Sequence, residues 1–150
     1  MRRHQLLILC HPPHRSVLPR LAQQLHFPLI PLSLCLSEAL LEYPHSRQPR
    51  MAGMLLERLV SGYEETVVGL HQIELLFLPQ LQLEPLRLLE QLSRNKVLIV
   101  SWPGQYEAGC LIYAEPWHPE YRRYPETDAR IMTFEESRED HDEVSRFDPI

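Results

Sequence analysis

Short apolar runs alternate with amphipathic stretches along most of this 150-residue chain. Apolar runs bounded by Pro, Gly or polar residues are typical of buried strands, whereas apolar residues spaced three and four apart are typical of helices. The pattern predicts strands at residues 4–10, 27–33, 66–70, 96–102, 109–114 and 129–134. It predicts helices at residues 17–25, 37–42, 48–60 and 84–94.

Alternation of strands and helices indicates βαβ crossovers, which place helices on both faces of a parallel sheet. We therefore predict an α/β three-layer sandwich around a mostly parallel five-stranded sheet. Pro28 and Pro31 favour an edge position for the second strand, or a short strand. Gly62 and Pro85 are placed to end the third helix and to begin the fourth. Residues 71–78 are apolar enough to extend the third strand or to cover the core as a loop.

One domain over residues 1–134 accounts for these elements. Residues 135–150 are highly charged and have little apolar periodicity, so we predict a solvated or disordered segment there. No apolar run is long enough to cross a bilayer, and no signal-peptide series opens the chain. We expect a cytoplasmic protein without membrane contact.

Charge and cysteine content narrow the function further. The net charge of −5 gives the molecule as a whole no electrostatic reason to seek nucleic acid, although 14 of its 15 basic residues are arginine. Cys10, Cys35 and Cys110 are odd in number, widely spaced and flanked by apolar residues. We predict free buried thiols rather than a disulfide framework or a metal knuckle.

The first strand, the loop after it and the first helix have the layout of a phosphate-binding P-loop. In such a loop, backbone amides and a lysine hold the phosphates. This loop, residues 11–16, has no glycine, and the only lysine of the chain is Lys96. The site cannot be built here in its usual form.

Two further segments carry a family resemblance: the leucine-rich residues 73–95, and residues 109–124 with their His-Pro-Glu-Tyr-Arg-Arg-Tyr run. Together with the leading strand-loop-helix they resemble BrxF, the family of small P-loop proteins of BREX phage-defence systems, over residues 4–125. The resemblance implies a fold of the P-loop NTPase type. It also implies an accessory role beside a larger ATPase or another member of a BREX-like complex.

The resemblance further implies a Walker A loop that holds the nucleotide phosphates, and here two registers are open. In one, His14, Arg15 and Ser16 stand at the Gly-Lys-Ser/Thr positions, which keeps a cation and a hydroxyl. In the other, Val17 and Leu18 stand there, which keeps neither. Both registers lack the glycines, and the planar fork of arginine is a poor substitute for lysine in a tight phosphate cradle.

The implied Walker B strand should end in an acid that holds Mg²⁺ through water. The corresponding strand ends in His71 and Gln72 instead, and a neutral imidazole is a poor ligand for Mg²⁺. Leu78 also stands where an acid is expected before Pro79. The sequence therefore predicts a degenerate nucleotide site without a cofactor. ATP and Mg²⁺ bind there only if the divergent residues can still hold the phosphates and the metal ion.

We accordingly expect a non-catalytic pseudo-NTPase that acts through contacts with other proteins. The sequence also leaves a homo-oligomer open. The candidate interface residues are Trp117, His118, Glu120, Tyr121, Arg122, Arg123 and Tyr124. The competing structural interpretation is a loop across the sheet edge, anchored by Trp117 and Tyr121. One alternative function is a divergent ATP-hydrolysing enzyme that uses Arg15, Ser16 and His71. A second is a DNA-binding accessory subunit that uses its arginines.

Three weaker candidates remain. His11, His14 and His71 would bind Zn²⁺ or an anion if the strands brought them together, but loop histidines usually need no such explanation. Ser101 follows the clearest strand, where a sensor of the γ-phosphate would stand. Glu107 and Glu115 would be an acid–base pair only if the fold placed them side by side, and no nucleophile accompanies them.

Overall fold

The computed structural model describes residues 5–10 and 17–134. The strands are β1 (Leu6–Cys10), β2 (Leu29–Pro31), β3 (Val67–His71), β4 (Val97–Ser101), β5 (Gln105–Glu107), β6 (Cys110–Tyr113), β7 (Arg122–Tyr124) and β8 (Arg130–Thr133). The helices are α1 (Leu18–Leu25), α2 (Leu32–Leu40), α3 (Gln48–Ser61) and α4 (Pro85–Leu92). Five strands form a parallel sheet in the order β2-β3-β4-β1-β8. This confirms the predicted α/β class and the edge position of the second strand.

Apolar side chains on both faces of the sheet hold the layers together, because successive residues of a strand point to opposite faces. On one face the buried residues pack beneath α2, α3 and α4; they include Ile8, Val68, Leu70, Leu98 and Val100. On the other face Leu9 and Ile99 pack beneath α1, which contributes Leu18, Leu21 and Ala22. The helices thus lie on both faces, which is compatible with the predicted three layers.

Helix α2 begins earlier than the sequence pattern predicts. The predicted helix covered residues 37–42, whereas α2 spans Leu32–Leu40 and follows β2 directly. Its first turn is stabilised by a distant partner, since the Ser33 amide donates to the Gln72 carbonyl at 2.9 Å. The Ser33 hydroxyl also donates to that carbonyl and accepts from the Leu75 amide at 3.1 Å. No local capping signal could reveal this start.

Most other boundaries agree with the prediction. Helix α3 spans Gln48–Ser61 and is capped by Gly62, whose amide donates to the Arg58 carbonyl at 3.0 Å. Gly62 has a φ of −68°, so the cap does not use the left-handed conformation that glycine permits. After β3 the chain forms two 3-10 turns, Glu74–Phe77 and Pro79–Leu81, which cover the core.

Residues 109–114 are the predicted strand that lies outside the parallel sheet. They contain β6, the central strand of an antiparallel sheet in the order β5-β6-β7, called the small sheet below. Ala108 and Gly109, with φ values of 51° and 79°, form the two-residue connection between β5 and β6. Positive φ at both positions is the geometry of a tight hairpin turn.

An aromatic cluster joins the small sheet to the core. The ring of Phe77 stacks on Tyr113 at 3.8 Å and meets Trp102 edge-on at 5.5 Å, while Trp102 meets Tyr124 at 6.1 Å. Trp102 Nε1 donates to the Ile112 carbonyl at 3.0 Å. We call Phe77, Trp102, Tyr113 and Tyr124 the junction.

The chain passes the junction at Gly104. A Cβ atom there would lie 1.8 Å from the Ile112 carbonyl oxygen. Only glycine allows this approach without a shift of the backbone, so the predicted strand stop at Pro103-Gly104 has a tertiary role as well.

Candidate functional site

The chain reverses direction across the sheet between β1 and β4. It leaves β1 for β2 at one edge, and it leaves β4 for β8 on the other side. In open α/β sheets, ligands bind at such a point, outside the carboxyl ends of the strands. The candidate site therefore comprises the carboxyl ends of β1, β3 and β4, called the carboxyl edge below, and the small sheet that borders it.

At the end of β1, the Walker A candidates His14, Arg15 and Ser16, and also His11, lie outside the described residues. The alternative register is described. Val17 and Leu18 are both buried, with Leu18 fully enclosed beneath α1 and the sheet. In that register the positions of the phosphate-binding lysine and hydroxyl hold core side chains, which contribute no polar group to a ligand.

At the end of β3, His71 is half-buried beside Pro31 of β2. Burial lowers the pKa of His71, and the nearby Glu74 carboxylate offsets part of that effect. A lowered pKa keeps the imidazole neutral at neutral pH. The carboxyl end of β3 thus presents a neutral nitrogen, which is a poor ligand for Mg²⁺.

Gln72, the other Walker B candidate, has a structural role. Its φ of 55° is left-handed, and its carbonyl accepts from the Ser33 amide at the start of α2. The backbone of Gln72 therefore stabilises the start of α2, and its side chain is exposed.

At the end of β4, the chain presents one polar and one aromatic residue. Ser101, half-exposed, lies opposite Leu9 of β1 in the strand register. Trp102 is 1% exposed, and its amide donates to the Leu9 carbonyl at 2.9 Å. Because Trp102 belongs to the junction, the described residues at the end of β4 are part of an aromatic cluster.

A hollow of about 470 Å³ lies between the carboxyl ends of β1 and β8 and the small sheet. Cys10, Thr133 and Tyr106 contribute to its wall. Of the described residues that line it, Glu115 carries the one formal charge, a carboxylate that repels phosphate. The described wall is therefore better suited to a neutral or apolar group than to a nucleotide phosphate.

Trp117 lies in the turn between β6 and β7 and is 80% exposed. The turn is held by its own hydrogen bonds: the His118 amide donates to the Glu115 carbonyl at 2.8 Å, and the Tyr121 amide donates to the His118 carbonyl at 3.0 Å. The Glu120 amide also donates to His118 Nδ1 at 3.1 Å. The indole is thus exposed on a turn with a fixed conformation.

The remaining interface candidates divide between the surface and the junction. Arg123 is exposed, whereas Arg122 is half-buried, with Nε buried and unpaired and Nη1 donating to the Tyr121 carbonyl at 3.2 Å. Tyr124 donates to Glu84 Oε1 at 2.8 Å, which connects β7 to the start of α4. The prediction that Trp117 anchors this segment is therefore wrong, because Tyr124 packs against the core and Trp117 does not.

The predicted acid–base pair is not assembled. Glu107 lies opposite Cys110 at one end of β6, whereas Glu115 follows the other end of that strand. Both carboxylates are exposed. Their separation along the strand is about 15 Å, too far for one reacting group to contact both.

The cysteines are free thiols, as predicted, and Cys10 and Cys110 are buried, while Cys35 is half-buried. Burial raises the pKa of Cys10 to about 12, which keeps this thiol protonated and unreactive. Among the described residues, no group of three or more His, Cys, Asp or Glu side chains is arranged to hold a metal ion.

Sequence reasoning missed the residues that hold the carboxyl edge together. These are Ser33, the junction and Glu84. At the opposite edge of the sheet, Glu90 Oε2 accepts from the Thr127 hydroxyl at 2.9 Å and the Asp128 amide at 3.1 Å, just before β8. One signal was present in the sequence. Gly109 between two short runs is a turn signal, although Ala-Gly is not among the dipeptides typical of a two-residue hairpin.

Comparisons with protein-family models, with curated proteins and with solved structures give no match for this chain. In the described part of the chain, each helix is too short or too polar to span a membrane.

Proposed function

We propose that this protein is a non-catalytic accessory component of a BREX-like antiphage system, acting in the cytoplasm through contacts with a larger ATPase or another member of the complex. The assignment to such a system rests on the resemblance carried by residues 73–95 and 109–124. The mode of action rests on one structural observation, the 80% exposure of Trp117 on a hydrogen-bonded turn.

The strand order supports a P-loop type of fold for this component. β1 lies between β4 and β8, with β3 and β2 beyond β4. Because these strands are parallel, the carboxyl ends of β1 and β3 lie at one edge of the sheet, with β4 between them.

The residues at that edge support a loss of nucleotide chemistry. A neutral imidazole at His71 binds Mg²⁺ poorly, and the Gln72 backbone is engaged with Ser33. Hydrolysis of a nucleotide needs a metal and a positive cradle for the phosphates, since catalysis there is almost entirely positioning and electrostatic stabilisation.

Trp117 supports a role in protein contacts. Tryptophan is enriched among residues that dominate binding energy. A turn that is already ordered by hydrogen bonds loses little conformational entropy when a partner binds. The two prolines beside it, Pro116 and Pro119, restrict the backbone further. Arg123 lies exposed on the adjoining strand β7 and supplies a positive rim.

The test is co-purification of the full chain with a large ATPase of a BREX-like system. The double variant Trp117→Ala/Arg123→Ala should weaken the interaction at least about thirtyfold, the loss typical of a hot spot. The matched control is Leu41→Ala, because Leu41 is 81% exposed on a different surface beyond α2. Equal loss in both variants, or no interaction with the wild-type chain, would reject the proposal.

Calorimetry with ATP and Mg²⁺ tests the loss of nucleotide chemistry separately. We expect no binding in the micromolar range. Micromolar binding that Arg15→Ala or Ser16→Ala abolishes would establish the divergent enzyme instead.

A further inference from the structure

The outer side of α3 carries a stripe of positive charge with an apolar centre. Arg47, Arg50, Met54 and Arg58 follow one another at spacings of three and four residues, so they lie on one face of the helix. That face is opposite the buried residues Ala52, Leu56 and Val60. All four side chains are exposed, and Met54 is 38% exposed. We call these four residues the α3 stripe.

The arginine side chains of the stripe form few interactions with the described part of the chain. Neither Arg50 nor Arg58 forms an ion pair or a side-chain hydrogen bond there, and Arg47 lies over the Tyr43 ring at 5.7 Å. Glu57 is the one acidic residue of α3, and it lies at the margin of the stripe. An acidic segment with an apolar side chain would complement this surface in charge and in hydrophobicity.

The chain itself contains such a segment. Residues 135–150 carry seven acidic and two basic side chains, and therefore account for the whole net charge of −5. Val144 and Phe147 are apolar residues among these charges. The other 134 residues are balanced, so positive charge on the α3 stripe is not cancelled by a general excess of acid.

We propose that the acidic segment, residues 135–150, binds the α3 stripe of the same chain. The carboxylates pair with the arginine guanidinium groups, which suit carboxylates geometrically, and an apolar side chain covers Met54. The surface of α3 is thus a docking site for the chain's own segment, independent of the contact surface at Trp117.

The segment is long enough to reach the stripe. It follows β8, which lies three strand positions from β3, or about 14 Å across the sheet. Helix α3 lies one layer above, about 10 Å from the sheet. Sixteen residues span up to about 50 Å when extended. A tethered segment also has a high effective concentration at the stripe, which favours it over a separate acidic partner.

Disulfide trapping in the full chain tests the contact. In Met54→Cys/Ser145→Cys, a mild thiol oxidant should form an intrachain disulfide at least about tenfold faster than in the matched pair Gln23→Cys/Ser145→Cys. Gln23 is exposed on α1, across the sheet from α3. Reaction of each new thiol with a small reagent corrects for differences in reactivity.

Charge reversal tests the cause of the contact. Adding Arg50→Glu/Arg58→Glu to the trapping variant should slow disulfide formation about tenfold, and raising the ionic strength should slow it as well. Adding Arg20→Glu/Arg87→Glu, which makes the same charge change at exposed residues of α1 and α4, should leave the rate unchanged.

Three results would overturn the proposal. The first is disulfide formation that is equally fast in Met54→Cys/Ser145→Cys and in Gln23→Cys/Ser145→Cys. The second is a disulfide that forms only between chains and rises with protein concentration. The third is slow trapping together with salt-sensitive binding of duplex DNA that Arg50→Glu/Arg58→Glu abolishes, which would assign the stripe to a phosphate backbone.

Discussion

The two tryptophans beside the small sheet differ in almost every physical respect. Trp102 is 1% exposed, donates from Nε1 to Ile112 and packs against two aromatic rings. Trp117 is 80% exposed on a turn that is held by backbone hydrogen bonds. Trp102 attaches the small sheet to the core, and Trp117 presents a surface. Stability and contact should therefore be separable by substitution.

The largest effect is expected at Trp102. Trp102→Ala removes a fully packed ring and leaves the Ile112 carbonyl without its donor, so we expect a loss of about 3–5 kcal/mol in the free energy of unfolding. Chemical denaturation measures the loss. Trp102→Phe, which retains a ring without the hydrogen bond, should lose less. A loss below about 1 kcal/mol for Trp102→Ala would show that the junction does not hold the small sheet.

The next effect concerns the backbone at the junction. Gly104→Ala places a Cβ atom against the Ile112 carbonyl, and we expect a loss of about 1–3 kcal/mol as the strands move apart. Gly53→Ala is the matched control, because nothing lies within 4 Å of its Cβ position in α3. That control should be neutral or stabilising by up to about 1 kcal/mol. Thermal unfolding of both variants checks the difference.

Alkaline pH should weaken the junction through its tyrosines. Burial, with Glu120 and Glu74 nearby, raises the pKa of Tyr113 to about 12, and burial with the hydrogen bond to Glu84 raises the pKa of Tyr124. The unfolded chain releases these protons near pH 10. The stabilisation is therefore present below pH 10 and is lost as the pH rises towards about 12.

Denaturation at a series of pH values measures this loss, and tyrosinate absorbance identifies the groups. Tyr113→Phe/Tyr124→Phe should flatten the dependence. Exposed Tyr106 lies outside the junction, so Tyr106→Phe should leave the dependence as in the wild-type chain. An unchanged slope in the double variant would assign the alkaline loss to other groups.

The smallest effect on stability is expected at Trp117. Trp117→Ala should change the free energy of unfolding by no more than about 0.5 kcal/mol, because an exposed side chain loses little burial. The same denaturation experiment measures it. A loss above about 1 kcal/mol would mean that the indole stabilises the turn, and the contrast between the two tryptophans would disappear.

Much of the parallel sheet could be predicted because its information is local. Residues 96–102 are apolar from end to end, and a strand buried on both faces requires that pattern. Pro28 and Pro31 predicted the edge strand, because proline has no amide hydrogen to donate to the hydrogen bonds of a central strand. The start of α2 could not be predicted in this way. Its first turn depends on Ser33 and Gln72, which are 39 residues apart.

The candidate site was predictable in part. The sequence identified His71 and Gln72 as departures from the Walker B pattern, but it could not show that the Gln72 carbonyl stabilises α2. It also selected Trp117 and Tyr124 as one group. Their exposures differ because the register of β6 and β7 places Tyr124 on the core and leaves Trp117 in the turn.

The sequence by itself determined the α/β class and most of the strands and helices. Hydrophobic periodicity and residue type act over a few neighbouring positions, so they can be read along the chain. Only the tertiary structure decided that residues 105–124 form a separate antiparallel sheet, that Gly104 must pass close to Ile112, and which tryptophan is buried. Those outcomes depend on contacts between residues distant in sequence, whose geometry exists only after the layers have packed.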